Sequence, residues 1–240
     1  MLRRKELRLS FFSTLLIVAI VGLDNSVSSY SLKNDNFLSE DLNDLWNFEE
    51  EAGKKLFLKR VEERLPLYKP IFIEASKDVE VHWILLAAIS YQESHWDPRA
   101  ISKTGVRGLM MLTQDTAKEM GVTRRTDPYQ SIRGGSLYFQ KILNRLPDSI
   151  PIADKTWMSL AAYNMGFKHI RDTRELAKKI GKDANNWEDL NKILPLMFKK
   201  EQSSTTQRAK EAIDYVNKIK LFYKTLVLVE EKNAFHQTNS

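Results

Sequence analysis

Glu93 is the residue of this chain best suited to acid–base chemistry. It lies in Ala87-Ala88-Ile89-Ser90-Tyr91-Gln92-Glu93-Ser94-His95-Trp96-Asp97-Pro98, late in a strongly apolar, helix-patterned run. A carboxylate there is partly desolvated, and desolvation disfavours its charged form, so its pKa is expected to rise, as a general acid near neutral pH requires. A lone Glu at a helix end is more often solvated or salt-bridged, here to Arg99. Two further segments change that balance: a glycine-rich turn, Gly105-Val106-Arg107-Gly108, and Ala162-Tyr163-Asn164-Met165-Gly166. Glycines let a backbone pass close to a ligand where a Cβ would obstruct, or simply serve a turn. Tyr163 and Asn164 offer a hydroxyl and an amide, although a Tyr-Asn pair at a helix end, taken alone, is more often structural.

A second carboxylate is hard to find. Ordinary glycosidases place two carboxyl groups about 5 Å apart when retaining and about 6.5–9.5 Å apart when inverting. Asp97 follows Glu93 by four residues, but Pro98 breaks the helix and leaves the aspartate to cap or solvate the turn. Asp115 and Asp127 read as surface residues. His82, His95, His169 and His236 are scattered without metal-ligand spacing, and there is no cysteine for a thiolate site or a disulfide. No metal and no cofactor are expected. Trp96 reads as a packing residue or as part of a cleft wall.

The elements that must position these residues are helices. Leu56, Phe57, Val61 and Leu65 recur at helical spacing over Lys54–Leu65, and Pro66 and Pro70 break or restart the pattern before Ile71, Phe72, Ala75 and Val79. Val81–Ser94 is the most apolar helix and the central one, ended by Asp97-Pro98. Ala100–Met111 reads as a loop. Thr113–Met120 is a short helix, with Thr113 as N-cap and Gly121 as stop. Pro128–Leu146 follows as a longer helix, interrupted by Gly134-Gly135, where a close backbone approach is the usual reason for tolerating glycine. Thr156–Asn164 and Lys168–Ile180 form a helical pair around Gly166, and Trp187–Leu194 is a further helix. The last helix runs from Gln207 to about Val229, and the polar tail 230–240 is expected to be flexible. No alternating strand pattern appears, so the fold class is all-α.

The chain has 240 residues, 42% hydrophobic and 28% charged, which suits one packed domain with appendages. Arg3, Arg4, Lys5 and Arg8 precede thirteen uncharged residues, Phe11–Leu23, and then Asp24 and a small polar stretch. That is the pattern of a secretory signal over residues 1–29, and the run is shorter than the roughly 20 residues of a membrane span. An uncleaved anchor, and with it membrane association, stays open. Residues 1–29 carry +2 of the formal +6, leaving +4 for the remainder. That surface suits anionic polymers and lipid head groups; nucleic acid is a poor fit, because the basic residues are dispersed and no binding motif is present. The expected division is 1–29 leader or anchor, 30–53 linker, 54–229 catalytic domain and 230–240 tail.

Taken together, Glu93-Ser94, Ala100-Ile101-Ser102, Gly105-Val106-Arg107-Gly108-Leu109-Met110 and Ala162–Gly166 resemble the motifs of the family 1 lytic transglycosylases, which carry the SLT domain. The likeness extends over roughly Leu56–Leu226, and three motifs in the right order make it specific. It implies a lysozyme-like fold of the goose-lysozyme type in a single catalytic domain. It also implies an exported, periplasmic enzyme acting on peptidoglycan glycan strands at the β-1,4 bond between N-acetylmuramic acid and N-acetylglucosamine, with Glu93 as the sole catalytic carboxylate. By position, Ser102, Gly105, Gly108, Met110, Tyr163 and Asn164 become substrate-binding candidates. For Ser102 the alternative is a turn serine, and for Met110 it is packing beneath a cleft. A hydrolytic muramidase, or a wall-binding protein without turnover, are the competing readings.

The chain departs from the family at its last helix, where Thr206-Gln207-Arg208-Ala209 replaces a Tyr-Ala-Arg-Gly pattern; Arg208 and Glu211 are retained and suited to pair one turn apart. Some relatives carry an N-terminal module resembling solute-binding proteins, for which the segment between the leader and the first matching helix is too short. Protein partners are not indicated.

Overall fold

The computed structural model describes residues 42, 45, 46, 51–198 and 203–238. The leader expected over 1–29 lies outside them, as does most of the 30–53 segment. Every regular element among the described residues is helical, with two isolated β-bridges, Ile101 to Arg107 and Arg107 to Leu112. The described residues group into two compact units, those up to 136 together with those from 219 onward, and those from 137 to 218.

In the first unit, α1 spans Glu51–Glu63 and α2 spans Leu65–Ser76. Phe57 and Val61 of α1 are buried, whereas Leu56, read from periodicity as part of the same stripe, is exposed. Pro66 sits in the first turn of α2, where its missing N–H has no helical partner to lose, and Pro70 is accommodated inside the helix. The central helix α3 spans Trp83–Ser94 and is buried continuously from Ile84 to Tyr91. His82 caps it, its imidazole Nδ1 accepting from the Ile84 N–H at 3.3 Å.

Helix α3 ends at Ser94, as expected from the apolar run, and the two residues that follow it already leave the helical region before Asp97-Pro98 is reached. His95 (φ 53°) and Trp96 (φ 56°) both adopt the left-handed conformation, which costs an L-residue on the order of 1–2 kcal/mol. Tertiary packing holds them there. The Trp96 indole folds back into the core, 1% exposed, and donates to the Ala87 carbonyl at 3.0 Å. It joins an aromatic cluster around Phe57, whose ring lies 4.5 Å from Tyr91, 4.9 Å from Phe222 and 6.0 Å from Trp96. Trp46 completes the cluster and donates to Thr225 Oγ1 at 3.0 Å. Burying each such ring contributes about 1.5–3 kcal/mol.

Helix α4, Gln114–Glu119, is capped by Thr113 Oγ1, which accepts from the Thr116 N–H at 3.0 Å. Helix α5 spans Pro128–Leu143 and is uninterrupted, contrary to the break expected at Gly134-Gly135. The glycines answer close approach, as expected, here by side chains. A Cβ on Gly134 would stand 2.3 Å from Val122 Cγ2, and one on Gly135 would stand 2.5 Å from Met110 Cβ.

In the second unit, α6 (Ile152–Met165) and α7 (Phe167–Lys179) meet at Gly166, whose φ of 97° only glycine adopts readily. Helix α8 (Trp187–Ile193) is capped by Asn186 and tied to α6 by the Trp187 N–H, which donates to Asp154 Oδ1 at 2.7 Å. A 3₁₀ turn, Leu194–Phe198, follows. Helix α9 spans Ser203–Thr238, burying Ala209, Ala212, Tyr215 and Val216 in this unit and Ile219, Phe222, Tyr223 and Leu226 in the other. The tail expected to be flexible from Glu230 is helical as far as Thr238, and the Glu230 carboxylate accepts from Lys69 Nζ.

Candidate active site

Glu93 is the penultimate residue of α3 and is half-buried. The residues around it bind the glycine loop to the helix. Ser90 Oγ and Ser94 Oγ each lie 3.0 Å from the Leu109 carbonyl and donate to it. Both serines are buried, at 0% and 7% exposure, so this junction is shielded from competing water. One turn of helix thus carries the carboxylate and the two hydroxyls that hold residues 100–112 beside it.

The loop is pinned from its other side as well. The Arg125 guanidinium donates through one nitrogen to the Gly105 and Leu112 carbonyls, both at 2.9 Å. Ser131 Oγ accepts from the Met110 N–H at 3.2 Å. Within the loop, Arg107 and Leu112 exchange both backbone hydrogen bonds, at 3.2 and 3.0 Å, around Met111 at φ 46°. These contacts leave the segment irregular yet over-determined, which suits a substrate-facing surface.

Each predicted loop residue has a definite place. Ser102 is half-buried, and its Oγ accepts from the Thr104 and Val106 N–H groups at 3.2 and 3.3 Å and bonds Thr104 Oγ1 at 2.9 Å. Those contacts are the turn-serine alternative at work. Gly105 and Gly108 share φ 82° but differ in surroundings. A Cβ on Gly105 would meet nothing within 4 Å, whereas one on Gly108 would stand 1.8 Å from the Arg125 carbonyl oxygen. Gly108 therefore makes room for protein backbone. Met110 is fully buried with its side chain against Gly135, so packing beneath the loop, rather than contact with sugar, describes that side chain.

Asp97, the nearest possible second carboxylate, accepts the Arg99 N–H at 2.9 Å and so holds its own turn, as anticipated. Asp127 Oδ1 accepts the Gln130 N–H in the first turn of α5, and its Oδ2 pairs with Arg124. Among the described residues no cluster of three metal-ligating side chains occurs.

In the second unit, Tyr163 and Asn164 close the last turn of α6. The Tyr163 ring packs 5.4 Å from Tyr138 and 6.3 Å from Phe139, and Asn164 is exposed. Asn164 borders an open cavity of about 370 Å³ together with Met165, His169, Arg208 and Glu211. The pairing expected between Arg208 and Glu211 is not formed. Glu211 accepts from Gln207 Nε2 at 3.2 Å instead, one turn away on the same face of α9. The Thr206 side chain lies outside the described residues.

Residues 70–186 match the family described as the transglycosylase SLT domain. This chain carries an SLT domain. It is 48% identical over 183 residues to the membrane-bound lytic murein transglycosylase F of Shewanella loihica, covering 75% of this chain and 38% of that protein. The corresponding protein of Marinobacter nauticus is 46% identical, covering 76% of this chain and 37% of the relative. The chain thus spans less than half the length of these relatives. The 70 kDa soluble lytic transglycosylase of Escherichia coli shares its fold, at TM-score 0.54 and 20% identity, over 78% of this chain and 29% of that one. So does the inactive mutant of lytic transglycosylase Slt from Pseudomonas aeruginosa, at TM-score 0.51 and 21% identity, over 72% and 26%.

Sequence reasoning missed Ser90, Arg125 and Ser131. Ser90 and Ser94, one turn apart in an otherwise apolar helix, were a visible sign of buried hydroxyls needing a common acceptor. Arg125 and Ser131 carried no such sign.

Proposed function

We propose that the chain is an exported lytic transglycosylase that cleaves peptidoglycan glycan strands between N-acetylmuramic acid and N-acetylglucosamine, leaving 1,6-anhydromuramic acid ends. The observation that carries this reading is the placement of Glu93: at the end of a buried helix, in the same turn as the serine that anchors the SLT glycine loop. The relatives' names support it.

The reaction needs one carboxyl group in two roles. Glu93 protonates the glycosidic oxygen as the bond to the anomeric carbon breaks, while the substrate's own 2-acetamido group stabilises that carbon. Glu93 then takes the proton of the muramic C6 hydroxyl, whose oxygen closes the anhydro ring. Water is not consumed, and a tethered nucleophile has a very high effective concentration, so no second carboxylate is needed to activate water. Asp97, the nearest in sequence, is engaged in its own turn. Tyr163, Asn164 and Ser102 serve the sugar or the acid in this reading, and the protein works in the periplasm, at or near a membrane. No described helix is long and apolar enough to cross one.

Glu93→Gln tests the assignment. With the same residue serving as acid and base, turnover of purified murein should fall at or beyond the 10²–10⁴-fold typical of one proton-transfer group, with murein binding retained. A variant as active as the parent contradicts the site.

A further inference from the structure

The turn that follows the acid is held from a different helix. His95 and Trp96, the two residues after α3, are both left-handed, at φ 53° and 56°, where a helix end ordinarily recruits glycine. Two contacts to α3 itself favour this shape: the His95 N–H donates to the Tyr91 carbonyl at 2.7 Å, and the Trp96 indole is anchored on Ala87 at 3.0 Å. The His95 carbonyl, by contrast, accepts from the Arg64 guanidinium at 3.0 Å, across 31 positions of sequence. Arg64 is itself placed by the joint of α1 and α2. Its N–H donates to the Arg60 carbonyl at 2.8 Å, its carbonyl accepts from the Leu67 N–H at 3.1 Å, and Pro66 stiffens the turn that follows. One turn back, Arg60 Nη1 donates to Tyr91 Oη at 3.4 Å, and the Tyr91 ring lies 5.1 Å from the His95 imidazole.

Glu93 is the penultimate residue of α3, so it occupies the turn that these contacts close. An unlatched His95 peptide can relax toward negative φ, and the last turn of the helix frays with it. A carboxyl that serves as both acid and base tolerates little displacement, since about 1 Å costs on the order of 100-fold in rate. We infer that Arg64 is a positioning residue for Glu93: by holding the His95 carbonyl it keeps the strained turn closed and the carboxyl aimed at the glycosidic bond. The inference rests on the lytic transglycosylase reading above and adds to it a residue that lies outside the span 70–186 matching the SLT domain. Arg64 acts through the backbone rather than on the sugar. A purely structural Arg64 would change stability and leave the turnover of each folded molecule as it was.

The test uses the whole chain with three substitutions, folding being checked by circular dichroism. Arg64→Met keeps the length and loses the donors, Arg64→Gln keeps a donor that stops short, and Arg64→Lys keeps charge and reach. Exchange of the His95 amide, measured without substrate, should accelerate about tenfold or more in the Met and Gln variants and stay near the parent rate with Lys. On soluble, uncross-linked glycan strands, kcat should fall about tenfold or more in the first two variants with KM within about twofold, and Lys should restore kcat to within about threefold of the parent. Either of the first two suffices if the other does not fold; failure of both to fold would make Arg64 a structural residue and overturn the inference. Unchanged exchange, faster exchange with parental kcat, a change in KM alone, or a kcat loss that Lys does not restore would overturn it too. A parent that releases no fragments from murein fails the proposed function, and with it the catalytic part of the inference, while exchange at His95 still decides whether Arg64 holds the turn.

Discussion

Gly105 and Gly108 have the same backbone conformation in different surroundings, and this makes alanine at each a controlled pair. Both have φ 82°, so Gly→Ala at either position carries the left-handed penalty of an L-residue, on the order of 1 kcal/mol. At Gly105 nothing else is within 4 Å. At Gly108 the new methyl would lie 1.8 Å from the Arg125 carbonyl oxygen, 2.8 Å from its carbon and 2.8 Å from Ser131 Oγ. The first two are backbone atoms and cannot swing aside. Relief requires moving the 125 segment away from the loop, which also strains the Arg125 and Ser131 contacts to it. Overpacking of this kind costs about 1–3 kcal/mol, so Gly108→Ala should lose that much more stability than Gly105→Ala. For a chain of this size the extra loss amounts to roughly 2–10 °C in melting temperature. Urea denaturation of both variants, analysed with a common slope, measures the difference directly. Equal losses would refute the argument that Gly108 is required by backbone approach.

Two further perturbations probe the elements that place Glu93. Burial lowers the His82 pKa from 6.5 to about 4, and its Nδ1 must stay unprotonated to cap α3. The unfolded chain takes up this proton below pH 6.5 and the folded chain refuses it until about pH 4, so stability should fall between those values and be unaffected by His82 above pH 6.5. The full shift would correspond to about 3 kcal/mol, and partial exposure reduces the expectation to about 1–2 kcal/mol. His82→Asn keeps a capping acceptor and removes the titration, so its stability should be flatter than the parent's in denaturation series from pH 4 to 7; parallel curves would exclude the His82 cap as the cause. Arg125→Ala removes two charge-assisted hydrogen bonds from the loop, and hydrogen exchange at the Leu112 amide should accelerate at least tenfold, as a local loss of about 1.5–3 kcal/mol implies. Unchanged protection there would mean that Ser90, Ser94 and Ser131 hold the loop unaided.

The readable parts of this sequence were those with local causes. Apolar periodicity located α1, α3, α6 and α7, Thr113 announced the cap of α4, and Gly166 marked the corner between α6 and α7. What escaped detection depends on distant partners. The left-handed turn after α3 is held by an indole reaching back to Ala87, and α9 continues as helix past Glu230, where composition turns polar. Gly134 and Gly135 looked like breaks because the side chains they accommodate, Val122 and Met110, lie elsewhere in the sequence. At the candidate site, sequence singles out Glu93 by its setting, while the hydroxyl clamp on Leu109 and the Arg125 brace became visible only once the loop was folded against them.

The central claim is a single-carboxylate, water-free cleavage by Glu93. Mass spectrometry of the soluble fragments released from peptidoglycan by the purified protein, beside those from Glu93→Gln, tests it most directly. Fragments ending in 1,6-anhydromuramic acid, one water lighter than hydrolysed ones and absent with the variant, are the predicted result. Reducing-end fragments would contradict it and demand a second carboxylate that activates water.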